Sequence, residues 1–538
     1  MLMICGIFVP ISQARTQLRE AERVTDAGFS PHMVAWSPLA PLADLPRALT
    51  RPSALPDLLT SPPPRVGLFW SVGNPAAVAL EVPRHHTEFR AGSSRDAGVY
   101  RRPLDADHSS TAQLAGLAWQ PVGRRSVAIG RVIIDRESLS ESSRSEFINA
   151  HASNPLVPVD TSTPAMRRDR VIVEGSLGRR VGGFAFGLGA GLEARDHRTV
   201  SARLPRISRV TTPALVAGIT RSLGRDRIRV GVHGRWLGGT ETANIFPFNL
   251  NATVFQIEGY ADPDTITVTQ QPYYRRAERS SLAVGIGASV AFGGATWVAA
   301  AERTGRREGQ FSERREDPRK DRWSSDGRVL KAAAQRPLWA GRILLTARGR
   351  HERLAGEATR GDLAGAIFIT EESVFDSDFE VRFTPSGGRW LAAGSVATRR
   401  ERRLRRDFIA DRYSNMDIWT PGGTVEVGLI LPRRTAVSVG YALSRSSPIA
   451  TIPNPALTGG PVFRQLTAPE LAFHATPAIA GAAAVTLKHT RSSGAALWFR
   501  GSGERLGPGS FARPIPTGPA GTRTLWSASV GVTLPRAG

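Results

Sequence analysis

Hydrophobic positions recur every second residue along most of this chain. In GGFAFGLGAGLEAR (182–195), Phe184, Phe186, Leu188, Ala190 and Leu192 share one face. Ala185, Gly187, Gly189, Gly191, Glu193 and Arg195 share the other. A period of two belongs to a β-strand. Glycine is a poor strand former, so its density on one face calls for a reason. Elsewhere the second face is charged. Ile228, Val230, Val232 and Trp236 oppose Arg229, Gly231, His233 and Arg235, while Phe375, Phe379, Val381 and Phe383 oppose Asp376, Asp378, Glu380 and Arg382. Val425, Val427, Leu429 and Leu431 oppose Glu426 and Gly428, and 437–443 alternates in the same way.

These runs come in pairs. The pattern predicts strands over 112–120 and 125–137, 169–179 and 182–196, 210–222 and 226–238, 280–292 and 295–304. It continues with 326–336 and 340–353, 374–384 and 388–400, 422–432 and 435–446, and 468–476 and 482–491. Each pair is joined by a tight break with turn residues, such as the Gly-Gly at 293. Successive pairs are separated by long polar stretches, of which RTGRREGQFSERREDPRKDR (303–322) is typical. In a meander, alternate connections lie at opposite ends, so short turns gather at one end and long loops at the other. Candidate strands at 84–93 and 523–534 bring the total to about 16–18, and an even number returns both ends of the sheet to the short-turn side.

This is the organisation of a transmembrane antiparallel up-and-down β-barrel of the bacterial outer membrane. Runs of roughly 9–12 residues suit a tilted strand crossing the bilayer core. The apolar face meets lipid and the Gly/charged face meets a lumen; closure pairs every backbone group. Tryptophans at predicted strand ends (Trp236, Trp323, Trp339, Trp390, Trp526) fit interfacial girdles. A soluble all-β sandwich or propeller also alternates, but its exposed face would be Lys-, Thr- and Glu-rich rather than Gly-, Ala- and Ser-rich.

The first 65 residues differ. SPLAPLADLPRALTRPSALPDLLTSPPPR (37–65) is proline-rich and aperiodic, which reads as a poorly ordered leader or linker. Residues 66–111 form an N-terminal segment with the candidate first strand, and 112–538 the barrel. SSRSEFINAHA (142–152) reads as a short loop helix. No apolar run reaches the roughly 18 residues of a membrane helix. MLMICGIFVPIS has no leading positive charge and no clean cleavage site.

The net charge is +23, nearly all from arginine, with lysine only at 320, 331 and 488. Such a balance points to an anionic partner. Lipopolysaccharide phosphates suit a barrel. Arg399, Arg400, Arg402, Arg403, Arg405 and Arg406, in the run TRRERRLRR (398–406), are the candidate anion contacts, read as lying in a loop at the outer end of a strand. Nucleic acid is not expected, because the aromatics alternate with aliphatics on the greasy face instead of interleaving with the basic residues. The expected partners are outer-membrane lipid, lipopolysaccharide and the barrel-assembly machinery.

The candidate lumen lining is Glu193, Arg195, Arg229, His233, Arg235, Arg342, Arg348, Asp376, Asp378, Glu380, Arg382 and Glu426. Mixed signs across a pore set a transverse field that selects solutes by charge. The alternative is that they pair and fill the interior. Segment 1–80 or a long loop is the candidate plug. With Cys5 alone, no intramolecular disulfide or cysteine metal site forms. No cofactor motif, metal motif, nucleophile elbow or P-loop appears. The acidic ITEESVFDSDFE (369–380) invites a calcium reading, yet alternation alone accounts for Asp376, Asp378 and Glu380. Asp107-His108-Ser109 is the nearest cue to a hydrolase.

The stretch GLFWSVGNPAAVAL (67–80) contains Gly73, Asn74, Pro75 and Ala76 ahead of the first strand. With GVYRRPLDAD (98–107) and NPLVPVDTS (154–162), it resembles an uncharacterised family of bacterial outer-membrane β-barrel proteins. It is more distantly similar to fatty-acid-transporter-like barrels at the Gly-Asn-Pro-Ala element. The resemblance covers about 65–538. It implies an outer-membrane barrel acting as a channel, transporter or structural barrel. The competing functions are a barrel-embedded hydrolase using His108 or His233, and a soluble basic nucleic-acid-binding protein.

Overall fold

Each alternating run pairs antiparallel with its neighbour, and the last pairs with the first. The computed structural model describes residues 59, 66–81, 85–100, 108–140, 156–159, 165–200, 206–246, 252–258, 264–268, 273–312, 321–384, 389–451, 468–509 and 521–534, save single positions in a few turns. Eighteen strands close the wall. They begin with β1 (His86–Gly98), β2 (His108–Pro121), β3 (Ser126–Leu139), β5 (Met166–Val181), β6 (Phe184–Thr199), β7 (Arg206–Leu223) and β8 (Ile228–Ile245). The wall continues through β11 (Tyr273–Phe292), β12 (Ala295–Ser312), β13 (Asp321–Leu338), β14 (Ile343–Thr359), β15 (Ala366–Phe383) and β16 (Trp390–Asp407). It ends with β17 (Arg412–Leu431), β18 (Thr435–Thr451), β19 (Ala478–Thr490), β20 (Ala496–Pro508) and β21 (Arg523–Leu534). Closure is the pairing of β1 with β21, from Thr87↔Leu534 to Gly98↔Arg523. β4 (Leu156–Val159), β9 (Ala252–Glu258) and β10 (Asp264–Val268) make a small separate sheet between loops.

The short connections all lie at one end. Gly293 and Gly294, with φ of 60° and 74°, build the two-residue turn between β11 and β12, where both positions need positive φ. The long connections share the other end with the β1–β2 loop. His86 pairs with Trp119 and Thr87 with Leu534, so the sheet starts and finishes at the short-turn end.

The apolar face points out. Leu188 is 68% exposed and Val396 69%, and Phe186, Val284 and Val439 lie open with them. Closed backbone pairing, an apolar outer belt and a polar interior make the protein an outer-membrane β-barrel. Most strands outrun the roughly 9–11 residues the bilayer needs. Above the belt their outward residues turn basic: Arg95, Arg136, Arg303, Arg328, Arg353, Arg400 and Arg445 are exposed there. These arginines form a collar on the outer wall.

Several readings need correction. Residues 468–476 are not a strand. Ala468–Ala475 is a helix, with Ala468, Leu471, Ala472 and Ala475 spaced as one helical face. The strand partner of β19 is β20, whose alternation fades beyond Phe499 into Gly501 and Gly503. The run TRRERRLRR is not a loop but the upper half of β16. Arg342 is not on the lumen wall; it is exposed in the turn before β14, where its carbonyl accepts from the Thr384 amide. Trp323 is no girdle residue, being buried inside the barrel. The loop helix at 142–152 and nearly all of the leader at 1–65 lie outside the described residues.

Candidate functional site

A short segment ahead of β1 folds into the interior near the short-turn end. Helix α1 (Leu68–Val72), a 3-10 turn (Pro75–Ala77) and helix α2 (Val78–Glu81) fold back inside the wall. They touch one continuous arc of the wall, from β3 through β5, β6, β7, β8, β11 and β12 to β13. Glu81 ties the segment into a loop: its Oε1 accepts from the Leu68 amide at 2.8 Å and its Oε2 from the Phe69 amide at 2.9 Å. A carboxylate on the free amides opening a helix is favourable. Arg229 of β8 pairs with the same carboxylate at 3.5 Å. Leu68, Phe69, Val72, Ala77 and Val78 then bury against Leu117, Ile129, Ile133, Ile172 and Val298 of the wall.

Here the glycine-rich face finds its reason. Gly178, Gly187 and Gly218 are direct cross-strand partners on β5, β6 and β7. The Asn74–Ala76 backbone lies on that row. A Cβ on Gly187 would stand 2.2 Å from the Ala76 amide, and one on Gly178 would stand 2.9 Å from the Ala79 amide. Gly231 of β8 extends the floor, its would-be Cβ lying 2.6 Å from Asn74 Nδ2. Asn74 is buried; its Oδ1 accepts from the Ala76 amide at 3.0 Å, and its Nδ2 donates to the Val232 carbonyl at 3.3 Å. The Gly-Asn-Pro-Ala element thus sits on a glycine floor inside the barrel.

Above this segment the lumen wall carries a lattice of ion pairs. Arg90 donates to Gln113 at 3.3 Å, and Gln113 to Asp135 at 2.8 Å. Arg170 donates to Asp135 at 3.2 Å and to Glu193 at 2.7 Å, and Arg195 pairs with Glu193 at 2.6 Å. That chain crosses β1, β2, β3, β5 and β6. Arg279 bridges Glu241 and Glu308, each at 2.8 Å. His233 Nε2 lies 2.9 Å from Glu302 Oε2, its ring filling the space over Gly285. Arg348 pairs with Asp378 at 2.7 Å and with Glu380 at 3.2 Å, and Arg382 also pairs with Glu380. Arg399 reaches Asp376 at 3.5 Å. Arg235 and Glu426 are buried in the same lining.

Eleven of the twelve predicted lining residues therefore face inward, Arg342 being the exception. The predicted anion contacts divide. Arg399, Arg403 and Arg405 point into the lumen, where Arg405 pairs with Glu372 at 3.0 Å and Arg403 with Glu401. Arg400 and Arg402 point outward and share Asp417 at 2.6 and 3.0 Å; Arg406 is also outward. Asp376, Asp378 and Glu380 neutralise arginines, and no metal-holding cluster occurs among the described residues. His108 opens β2 at the loop end, while His233 lies midway along β8. Sequence reasoning missed Glu81, whose signal is only a lone acid at the end of an apolar stretch.

A second insertion lies inside the wall near the loop end. Helix α3 (Ala468–Ala475) packs Leu471 and Phe473 against Trp323, Leu354, Phe368, Met416 and Ile418. Tyr100 joins it, with its ring 5.3 Å from that of Phe473. Burial raises the Tyr100 phenol above its ordinary range.

No family model matches the chain, and no curated protein matches it. Among solved structures, the chain is similar to the ferric yersiniabactin uptake receptor FyuA from Yersinia pestis, at 10% identity, covering 84% of this chain and 80% of that one, with a TM-score of 0.47. It is similar to the ferric citrate transporter FecA in unliganded form, at 7% identity, covering 84% and 79%, with a TM-score of 0.43. It is also similar to the copper transporter OprC, at 11% identity, covering 83% and 80%, with a TM-score of 0.38. The similarity of the Gly73–Ala76 element to fatty-acid transporters gains no support from these comparisons.

Proposed function

We propose that the barrel is a channel or transporter for a polar solute, and that segment 66–81 is its gate. The observation that carries this reading is the seating of Asn74–Ala76 on the glycine row Gly178, Gly187 and Gly218. A structural barrel needs only a filled interior, which side chains supply without a seat. Three strands giving up side chains for one backbone segment make a close fit to that segment. Glycine leaves no side chain to interlock, so lifting the segment requires breaking its polar contacts and withdrawing Leu68, Phe69, Val72 and Val78 from the wall. Those polar contacts include Asn74 to Val232 and Glu81 to Arg229.

The ion lattice sets what passes. Paired charges of both signs impose a field across the lumen, and a solute bearing either sign exchanges one partner for another. Glu193, Arg195, His233, Arg235, Arg348, Asp376, Asp378, Glu380, Arg382 and Glu426 line that route.

The test is conductance of the full chain, refolded and inserted in planar bilayers. Wild type is expected to conduct poorly and in rare steps. A chain lacking residues 66–81 is expected to show steady open steps. Equal conductance in the two overturns the gate reading, and no conductance in either leaves a structural barrel.

A further inference from the structure

Many lumen arginines are ion-paired with lumen acids, and a further set of arginines stands on the outer collar. Along much of the collar the arginines have outward acids beside them. Arg303 and Arg328 share Asp326 at 2.9 and 3.8 Å, and Arg400 and Arg402 share Asp417. At the seam where β1 meets β21 one arginine differs, although Arg136 beside it keeps an acid, Asp169. There Arg95 stands in a row with Ser110 and Trp526 as its cross-strand partners, neither of them acidic.

The seam is also concave. One step down the wall, Arg136, Ala112, Ser93 and Ala528 are successive cross-strand partners on β3, β2, β1 and β21. Three small residues in a row leave a low floor. The Trp526 ring lies over Gly503 of β20, where a Cβ would come 2.6 Å from it, and so forms one flank. Arg136 forms the other, 60% exposed and held by its Nε to Asp169 Oδ1 at 2.7 Å. The depression so enclosed measures about 680 Å³. Below it, Ile134, Leu114, Ala91 and Val530 continue the same rows into the apolar belt.

We propose that this depression binds one phosphorylated glycolipid of the outer leaflet. Its acyl chains lie on Leu114, Ile134 and Val530. A phosphate sits between Arg95 and Arg136, whose guanidinium groups suit bidentate phosphate contacts. The sugar rests on the Ala112–Ser93–Ala528 floor against the Trp526 ring. An acidic protein segment would match the arginines but not the opening into the bilayer, where only an amphiphile has both parts. The inference rests on the membrane-facing wall alone and is independent of the gate.

The experiment is native mass spectrometry of the refolded full chain in detergent. The probes are lipid A with its phosphates, lipid A stripped of phosphate, and phosphatidylglycerol. Wild type is expected to retain one phosphorylated lipid A and to hold the other two at least about tenfold more weakly, as loss of charge-assisted bonds implies. Arg95→Gln with Arg136→Gln should weaken lipid A by a similar factor. Ser93→Trp, which fills the floor without touching a charge, should do the same. The paired variant Arg303→Gln with Arg328→Gln should bind as wild type. A shift in gel mobility between cold and boiled samples confirms that each variant is folded. Undiminished binding by the seam variants overturns the site. So does equal loss in the Arg303/Arg328 variant, and so does equal retention of phosphatidylglycerol.

Discussion

A single carbon atom on Gly218 would lie 2.2 Å from the side-chain oxygen of Asn74. The two residues stand far apart in sequence, and neither position tolerates the other's enlargement. Strand β7 meets the plug as backbone against side chain. Gly218→Val therefore forces the plug or the wall to move. Overpacking of this kind costs about 1–3 kcal/mol, or about 5- to 150-fold in the closed-to-open ratio. Because the strand's own pairing is untouched, the cost falls on the plug. Limited proteolysis of the 66–81 segment should speed up by that factor, while the gel shift of the barrel stays as in wild type. Unchanged proteolysis would mean that Asn74 is not seated there in solution.

Arg170 is the hub of the lattice across β3, β5 and β6. Replacing it with methionine keeps its bulk but strands Asp135, which then has only Gln113. Glu193 keeps Arg195. Breaking a buried pair from one side costs about 3–5 kcal/mol. The temperature at which the folded gel band converts to the unfolded one should drop markedly for Arg170→Met. Adding Asp135→Asn removes the stranded charge and should restore most of the loss. If the second change brings no recovery, the destabilisation comes from packing and not from charge.

These relationships differ in how far the sequence foretold them. The alternation of Phe184 to Leu192 against Gly187 to Arg195 needs only local pattern, and it located most of the strands. The TRRERRLRR run defeated the same reasoning because both faces of β16 carry arginine there. Arg399, Arg403 and Arg405 face lumen acids while Arg400 and Arg402 face the collar, so period two is hidden by identity of residue. At 468–475 the residues Leu471 and Phe473 imitate a strand, though Ala468, Leu471, Ala472 and Ala475 keep helical spacing. The plug's position was out of reach, because Asn74 finds its floor on strands more than a hundred residues away.

The turn between β7 and β8 supplies a pH test outside the membrane. Burial at the turn pushes the Asp226 carboxyl up, but hydrogen bonds from Arg180 and Ser222 and the nearby arginine charges outweigh it, so its pKa is lowered. Arg180 holds both carboxylate oxygens at 3.1 Å. A lowered folded pKa gives stability that is present above the unfolded value of about 3.9 and lost as pH falls through the folded one. The pair is partly exposed, so its worth is about 0.2–1 kcal/mol. The stability difference between wild type and Asp226→Asn should be of that size near neutral pH. It should vanish as pH falls through the lowered folded pKa of Asp226. A difference that persists there would assign the effect to the strained turn, where Asp226 has φ of 68°, instead of to the ion pair.

Leu188 decides what the outer wall faces. It is 68% exposed and points away from the Gly187–Gly189 floor. In a soluble protein, arginine at so open a position would be neutral or favourable, since it trades apolar exposure for charge. In a bilayer the same change places a cation near the middle of the apolar belt, at a cost of about 2–4 kcal/mol. Arg221, paired with Phe184 near the short-turn end, marks where a cation is already accepted. Leu188→Arg should thus lower unfolding stability in lipid vesicles by about 2–4 kcal/mol. Ile228→Arg, at the strand end, should lower it by no more than about 1 kcal/mol. The contrast between the two positions is the readout, because loss of a packed leucine would not depend on depth. Equal effects at both would remove the lipid belt from this face, and with it the reason for alternation along β6.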